Sequence, residues 1–83
     1  MIDALETAIA MLGEAASLTG AELELVRLSA IRVARVDLAR ARGVAPSTVK
    51  KQVQQLLRKT RRRSLEELAA DVLLVALSVS RRR

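Results

Sequence analysis

Not one of the 83 residues is Phe, Tyr or Trp, so any core must be built from Leu, Val, Ile, Ala and Met. Aliphatic side chains of this kind suit packed helices, and the fold class expected is all-α. A chain this short buries only a little over ~60% of its unfolded surface, which makes a single copy marginal. Cysteine is absent, so no disulfide can help. With histidine absent as well, the usual zinc sites and Cys- or His-based catalysis are excluded. A cysteine-free chain fits a reducing compartment, and the expected location is cytoplasmic. Without aromatic rings there is no platform for stacking unpaired bases, so single-stranded nucleic acid is a poor partner.

The apolar spacing predicts five helices. In Met1–Ala16, Ile2, Leu5, Ile9 and Leu12 recur at 3, 4 and 3, and Gly13 is expected to fray the end. Thr19 and Glu22 form a T-x-x-E capping box that starts the second helix, with Leu25, Val26, Leu28 and Ile31 as its apolar face. No Gly or Pro interrupts Ala21–Arg42, but one continuous helix would set Arg32 in an apolar stripe with Leu25, Leu28, Val36 and Ala39. A break near Arg32–Ala34 is therefore expected. The third helix ends at Gly43, followed by Val44 as a buried turn residue, and Pro46 opens the fourth. Ser64 and Glu67 form a second capping box ahead of a last helix that is apolar around more than half its girth.

Charge is distributed unevenly. Residues 1–26 hold five acids and no base, residues 27–63 twelve bases and one acid (Asp37), and residues 64–83 three of each. A basic middle segment without interleaved acids suits a polyanion. Nothing reads as a signal peptide, and the most apolar run, Leu73–Val79, is far short of the about 20 residues of a membrane span. No membrane partner, metal or cofactor is expected. An enzyme is not expected either, because no carboxylate pair or metal cluster is apparent.

The stretch "APSTVKKQVQQLLRK", Ala45–Lys59, focuses the functional question. Val49, Val53, Leu56 and Leu57 make one helical face, while the other carries Ser47, Lys51, Gln54, Gln55 and Arg58 and no acid. A short helix, a turn with Gly, and a helix with an apolar back and a basic, amide-rich front make a helix-turn-helix pattern. Gln reads adenine through paired donor and acceptor, Lys donates to guanine, and an acid would be repelled by phosphate. Lys51 and Gln54 thus suit base edges, and Arg58, Lys59, Arg61, Arg62 and Arg63 suit backbone.

The same region resembles the bacterial LuxR/GerE-type (NarL-like) DNA-binding domain. Its L-T-x-x-E opening is matched by Leu18, Thr19 and Glu22. The acid followed by I-A and then L-G-I-S is matched by Asp37, Leu38, Ala39 and "RGVA". The recognition-helix pattern T-V-K-x-H-V-x-x-I-x-x-K-L is matched by "TVKKQVQQLLRKT", and the S-R-x-E-L-like opening of the last helix by "RSLEELA". The series aligns without a gap over Leu18–Ala69.

The resemblance implies a four-helix helix-turn-helix domain over residues 18–80, preceded by an accessory helix (1–17) and followed by a basic tail (81–83). It implies a recognition helix at about 46–60 in the major groove, with Lys50, Lys51 and Gln54 on base edges. Ser47, Thr48, Gln52, Gln55, Arg58, Lys59 and Arg61–Arg63 would lie near phosphates or brace the helix. It further implies a homodimer through the last helix, at Leu65, Leu68, Val72, Leu73, Val75, Ala76 and Val79. Family members usually carry an upstream receiver or sensor domain; with seventeen residues before Leu18, a stand-alone regulator is expected. The first helix is expected to be a lid on the core. The chain departs from the pattern at Arg32 (a turn glycine), Ala34 and Ala45 (capping serines), Arg42 (a buried leucine), Gln52 (a histidine) and Thr60 (a leucine).

The leading expectation is a sequence-specific, double-stranded DNA-binding transcriptional regulator. The alternatives are a helix-turn-helix shell that binds another regulator or RNA polymerase, and a non-specific architectural DNA binder.

Overall fold

The capping box is formed in both directions: the Glu22 N–H donates to Thr19 Oγ1 at 3.2 Å and the Thr19 N–H to Glu22 Oε1 at 2.9 Å. It starts α2 in a computed structural model that describes residues 2–81. Met1, together with Arg82 and Arg83 of the expected basic tail, lies outside the described residues, as does the Ile2 side chain. The elements are α1 (Ile2–Ala16), α2 (Gly20–Ala30), a 3₁₀ turn (Arg35–Asp37) leading into α3 (Leu38–Arg42), α4 (Pro46–Thr60) and α5 (Leu65–Arg81). Among the described residues every regular element is helical. The expected break falls where phase required it, with Arg32 exposed between α2 and the 3₁₀ turn.

One core joins all five helices. Ala4, Ala8 and Ile9 of α1, Leu25 and Val26 of α2, Leu38 of α3, Val49, Val53 and Leu56 of α4, and Leu65, Leu68, Val72 and Ala76 of α5 are buried together. α1 lies mainly along α5. Within α1, Ala4, Ala8 and Ile9 are buried, while Leu5 and Leu12 are only partly covered at the edge of the core. Arg27 of α2 ties α1 down by donating to both carboxylate oxygens of Glu6, at 2.8 and 2.7 Å. The Arg27 hydrogen bond is the main cause that holds the Glu6 carboxyl below its ordinary pKa.

Three expectations are corrected. Gly13 does not fray α1, which continues to Ala16; a Cβ there would meet Leu23 Cδ2 at 2.7 Å, so the glycine serves a close helix contact. Ile31 is exposed because it caps α2 rather than belonging to its face. The last helix is not an open dimer face: Leu65, Leu68, Val72 and Ala76 are all buried within the chain, and Leu73 and Val79 are partly covered, which leaves Val75 as the exposed member of the expected set. The wide apolar girth of α5 is largely satisfied by α1 on one side and α2 on another.

Four helix ends share one geometry. Residues Ser17, Arg32, Gly43 and Arg61 all adopt left-handed φ, between 55° and 74°. In each case the next residue donates its N–H to a carbonyl five positions back: Leu18 to Gly13, Val33 to Leu28, Val44 to Ala39 and Arg62 to Leu57. This satisfies carbonyls left open at a helix end. Gly43 takes the conformation freely, whereas each of the other three carries a Cβ that costs about 1 kcal/mol or more in the left-handed region. Arg32 holds this left-handed geometry with a side chain in place, at the expense of local strain.

Candidate nucleic-acid interface

α4 has two different sides. Val49, Val53 and Leu56 are buried, and Leu57 is partly covered. Ser47, Thr48, Lys50, Lys51, Gln54, Gln55 and Arg58 are all exposed. Pro46 at the first turn and Gly43 before it set the entry of the helix. Ala45 occupies the N-cap with no side-chain hydrogen bond, as its identity dictates. The linker from α3 to α4 is Gly43–Ala45, three residues.

The exposed basic groups lack local compensation. Among the described residues, no carboxylate oxygen lies within 4.0 Å of the Lys50, Lys51, Arg58, Arg61 or Arg63 side-chain nitrogens. Arg35 and Val36 at the 3₁₀ turn line the same surface groove as Ala39, Pro46, Val49 and Lys50. Val36 is 87% exposed. Sequence reasoning missed this flank; the available signal was that Arg35 belongs to the acid-poor segment beside the helix-turn-helix pattern.

Three residues expected at phosphates are engaged inside the chain. Lys59 Nζ donates to Glu22 Oε1 at 2.8 Å. Gln52 Oε1 accepts from Arg42 Nη1 at 2.6 Å, and the same nitrogen lies 3.4 Å from the Ala21 carbonyl. Arg62 forms an ion pair with Asp71 of α5. Arg42 thus braces α4 against α2. Arg42 and Gln52 form one paired contact.

Glu22 is 1% exposed, and its second oxygen, Oε2, has no hydrogen-bond partner. Burial pushes its carboxyl pKa up, but hydrogen bonds from Lys59 and Thr19 outweigh it and hold the pKa below the ordinary value. The carboxylate is thus ionised at neutral pH and anchors α4 through Lys59. Thr60 turns its hydroxyl back to the Leu56 carbonyl at 2.9 Å.

Among the described residues, no three acidic side chains come together as a metal-binding group, and no helix is long and apolar enough to cross a membrane. Compared with known protein families, curated proteins and solved structures, the chain matches none, so the LuxR/GerE resemblance rests on the residues quoted for it.

Proposed function

We propose that the chain is a double-stranded DNA-binding transcriptional regulator of the LuxR/GerE helix-turn-helix type, with α3 and α4 as its two-helix unit. One observation carries this reading: an exposed α4 face that combines Lys50, Lys51, Gln54, Gln55 and Arg58 with no acid, held by an apolar back. Lys50, Lys51 and Gln54 enter the major groove and read base edges. Ser47, Thr48, Gln55, Arg58, Arg61 and Arg63 contact the backbone, joined by Arg35 on the α3 side. Gln52, Lys59 and Arg62 hold the helix instead. Two copies read half-sites about one helical turn apart.

The test is selection from a pool of random duplexes, followed by titration at two salt concentrations. A two-fold-symmetric motif with a large affinity gap over random DNA is expected. Salt-sensitive binding without a motif would replace this reading with an architectural one. No binding at moderate salt would favour a shell that docks on another regulator or on RNA polymerase.

A further inference from the structure

We propose that the groove between the turn after α2 and the first half of α5 binds a small aliphatic carboxylate, and that the bound carboxylate competes with duplex DNA for Arg35. The groove has a volume of about 350 Å³, room for a ligand of metabolite size. Leu65, Ala69 and Leu73, one side of α5 at a spacing of four, form its apolar wall. Its polar groups are Ser29 near the end of α2, Arg32 and Arg35 from the connection to α3, and Glu66.

Charge and strain decide the occupant. Among the described residues, no carboxylate oxygen lies within 4.0 Å of the Arg32 or Arg35 guanidinium, although Glu66 shares the groove. Two unpaired cations beside an apolar wall suit an anion with an aliphatic body. Ser29 Oγ is buried without a hydrogen-bond partner, which leaves an unmet donor in the wall. Arg32 holds φ at 74°, where a glycine would sit freely. A side chain kept in that conformation marks a position where the side chain is used. Glu66 opposes a second negative charge, so one carboxylate suits the groove better than a phosphate or a dicarboxylate. Arg35 also lines the separate groove beside Pro46 and Lys50 at the entry of α4. A guanidinium held by a carboxylate on the α5 side is no longer free for a phosphate on the α4 side. The coupling is reciprocal, so DNA weakens carboxylate binding by the same factor. The competition rests on the DNA reading above; the carboxylate site does not.

The probe is 4-methylpentanoate, with 4-methylpentan-1-ol and acetate as controls that lack the charge or the aliphatic body, all at fixed pH and ionic strength. With no aromatic residue to report binding, backbone amide shifts in NMR spectra are the readout. Saturable shifts at residues 29–35 and 65–73 are expected, half-complete at roughly 1 mM, with each control about fivefold weaker or worse. Arg32→Gly should weaken probe binding about fivefold or more, while melting no lower than the unaltered chain, which separates lost ligation from lost folding. Arg81→Gln, a basic residue far along α5, should leave probe binding unchanged. Saturating probe should weaken duplex binding roughly fivefold, and Arg35→Gln should abolish that effect. Shifts that never saturate or that spread over the basic α4 face, or equal binding by Arg32→Gly, would overturn the site. Unaltered duplex affinity at saturating probe would overturn the competition. A chain that binds the probe but no duplex would keep the site and remove the DNA reading together with the competition. A duplex motif without saturable probe binding would do the reverse.

Discussion

α4 and α5 are the two helices that follow the turn at Gly43, and they solve opposite problems. α4 buries one narrow row, Val49, Val53 and Leu56, and turns a charged face outward. α5 buries Leu65, Leu68, Ala69, Val72 and Ala76, a wider band, and needs α1 to cover it. A narrow apolar stripe states its own packing and leaves the far side free for another molecule. A wide one states only that something covers it. Here the chain's own first helix does most of that work, and the stripe that remains is a few residues across.

Substitutions that break this contrast rank by burial. Ile9→Ala, at the α1–α5 contact, should cost about 2–5 kcal/mol, read by urea denaturation, while leaving the α4 surface chemically intact. An effect below about 1 kcal/mol would show that α1 is not part of the core. Lys59→Met leaves the buried Glu22 carboxylate without its cation and should cost about 3 kcal/mol. If the two changes destabilise equally but only Lys59→Met also weakens DNA binding of the folded fraction, the Glu22–Lys59 pair sets the position of α4.

The same pair gives the contrast a pH signature. Because the folded-state pKa of Glu22 is depressed, its contribution is present above the ordinary value of 4.5 and lost as pH falls through the lower folded value. Glu6 acts in the same direction. Stability should therefore be flat toward neutrality and fall below the ordinary carboxylate range. Glu22→Gln should flatten that acid limb; an unchanged limb would assign it to other groups.

Smaller effects sharpen the contrast. Arg32→Gly should stabilise by about 0.5–1 kcal/mol, since relief of left-handed strain is partly offset by unfolded-state entropy. Ala45→Ser, which supplies the missing cap of α4, should add about 1 kcal/mol. Each should raise Tm by several degrees. Lys51→Ala and Gln54→Ala should change stability by less than about 0.5 kcal/mol. On DNA they should relax preference at one or two base pairs by about 1–3 kcal/mol. Arg61→Ala with Arg63→Ala should weaken all duplexes alike and reduce the salt slope by about 0.9 for each phosphate no longer neutralised.

Much of the fold is legible in the residues. Thr19 and Glu22 mark the start of α2, Gly43 the end of α3 and Pro46 the start of α4, because each acts through its own backbone geometry. The exposed α4 face is equally legible, because one helix supplies both its sides. Less legible were the left-handed ends at Ser17 and Arg61, where no glycine signals the turn. Ala4 and Ala8 were missed because small side chains give a weak periodic signal, although close helix packing selects them. The second capping box is formed in one direction only: the Glu67 N–H donates to Ser64 Oγ.

The sequence by itself determined the aliphatic core, the five helices with their break after α2, and an acid-free face on α4, since local periodicity and capping act within a few residues. Only the tertiary structure decided which charges are spent inside the chain. Lys59 and Gln52 on α4 and Arg62 just beyond it read as free polar groups, but Glu22, Arg42 and Asp71 reach them from 37, 10 and 9 positions away. It also decided that α1, rather than another copy, covers the broad side of α5. Local pattern specifies a face; packing between distant segments specifies what meets it.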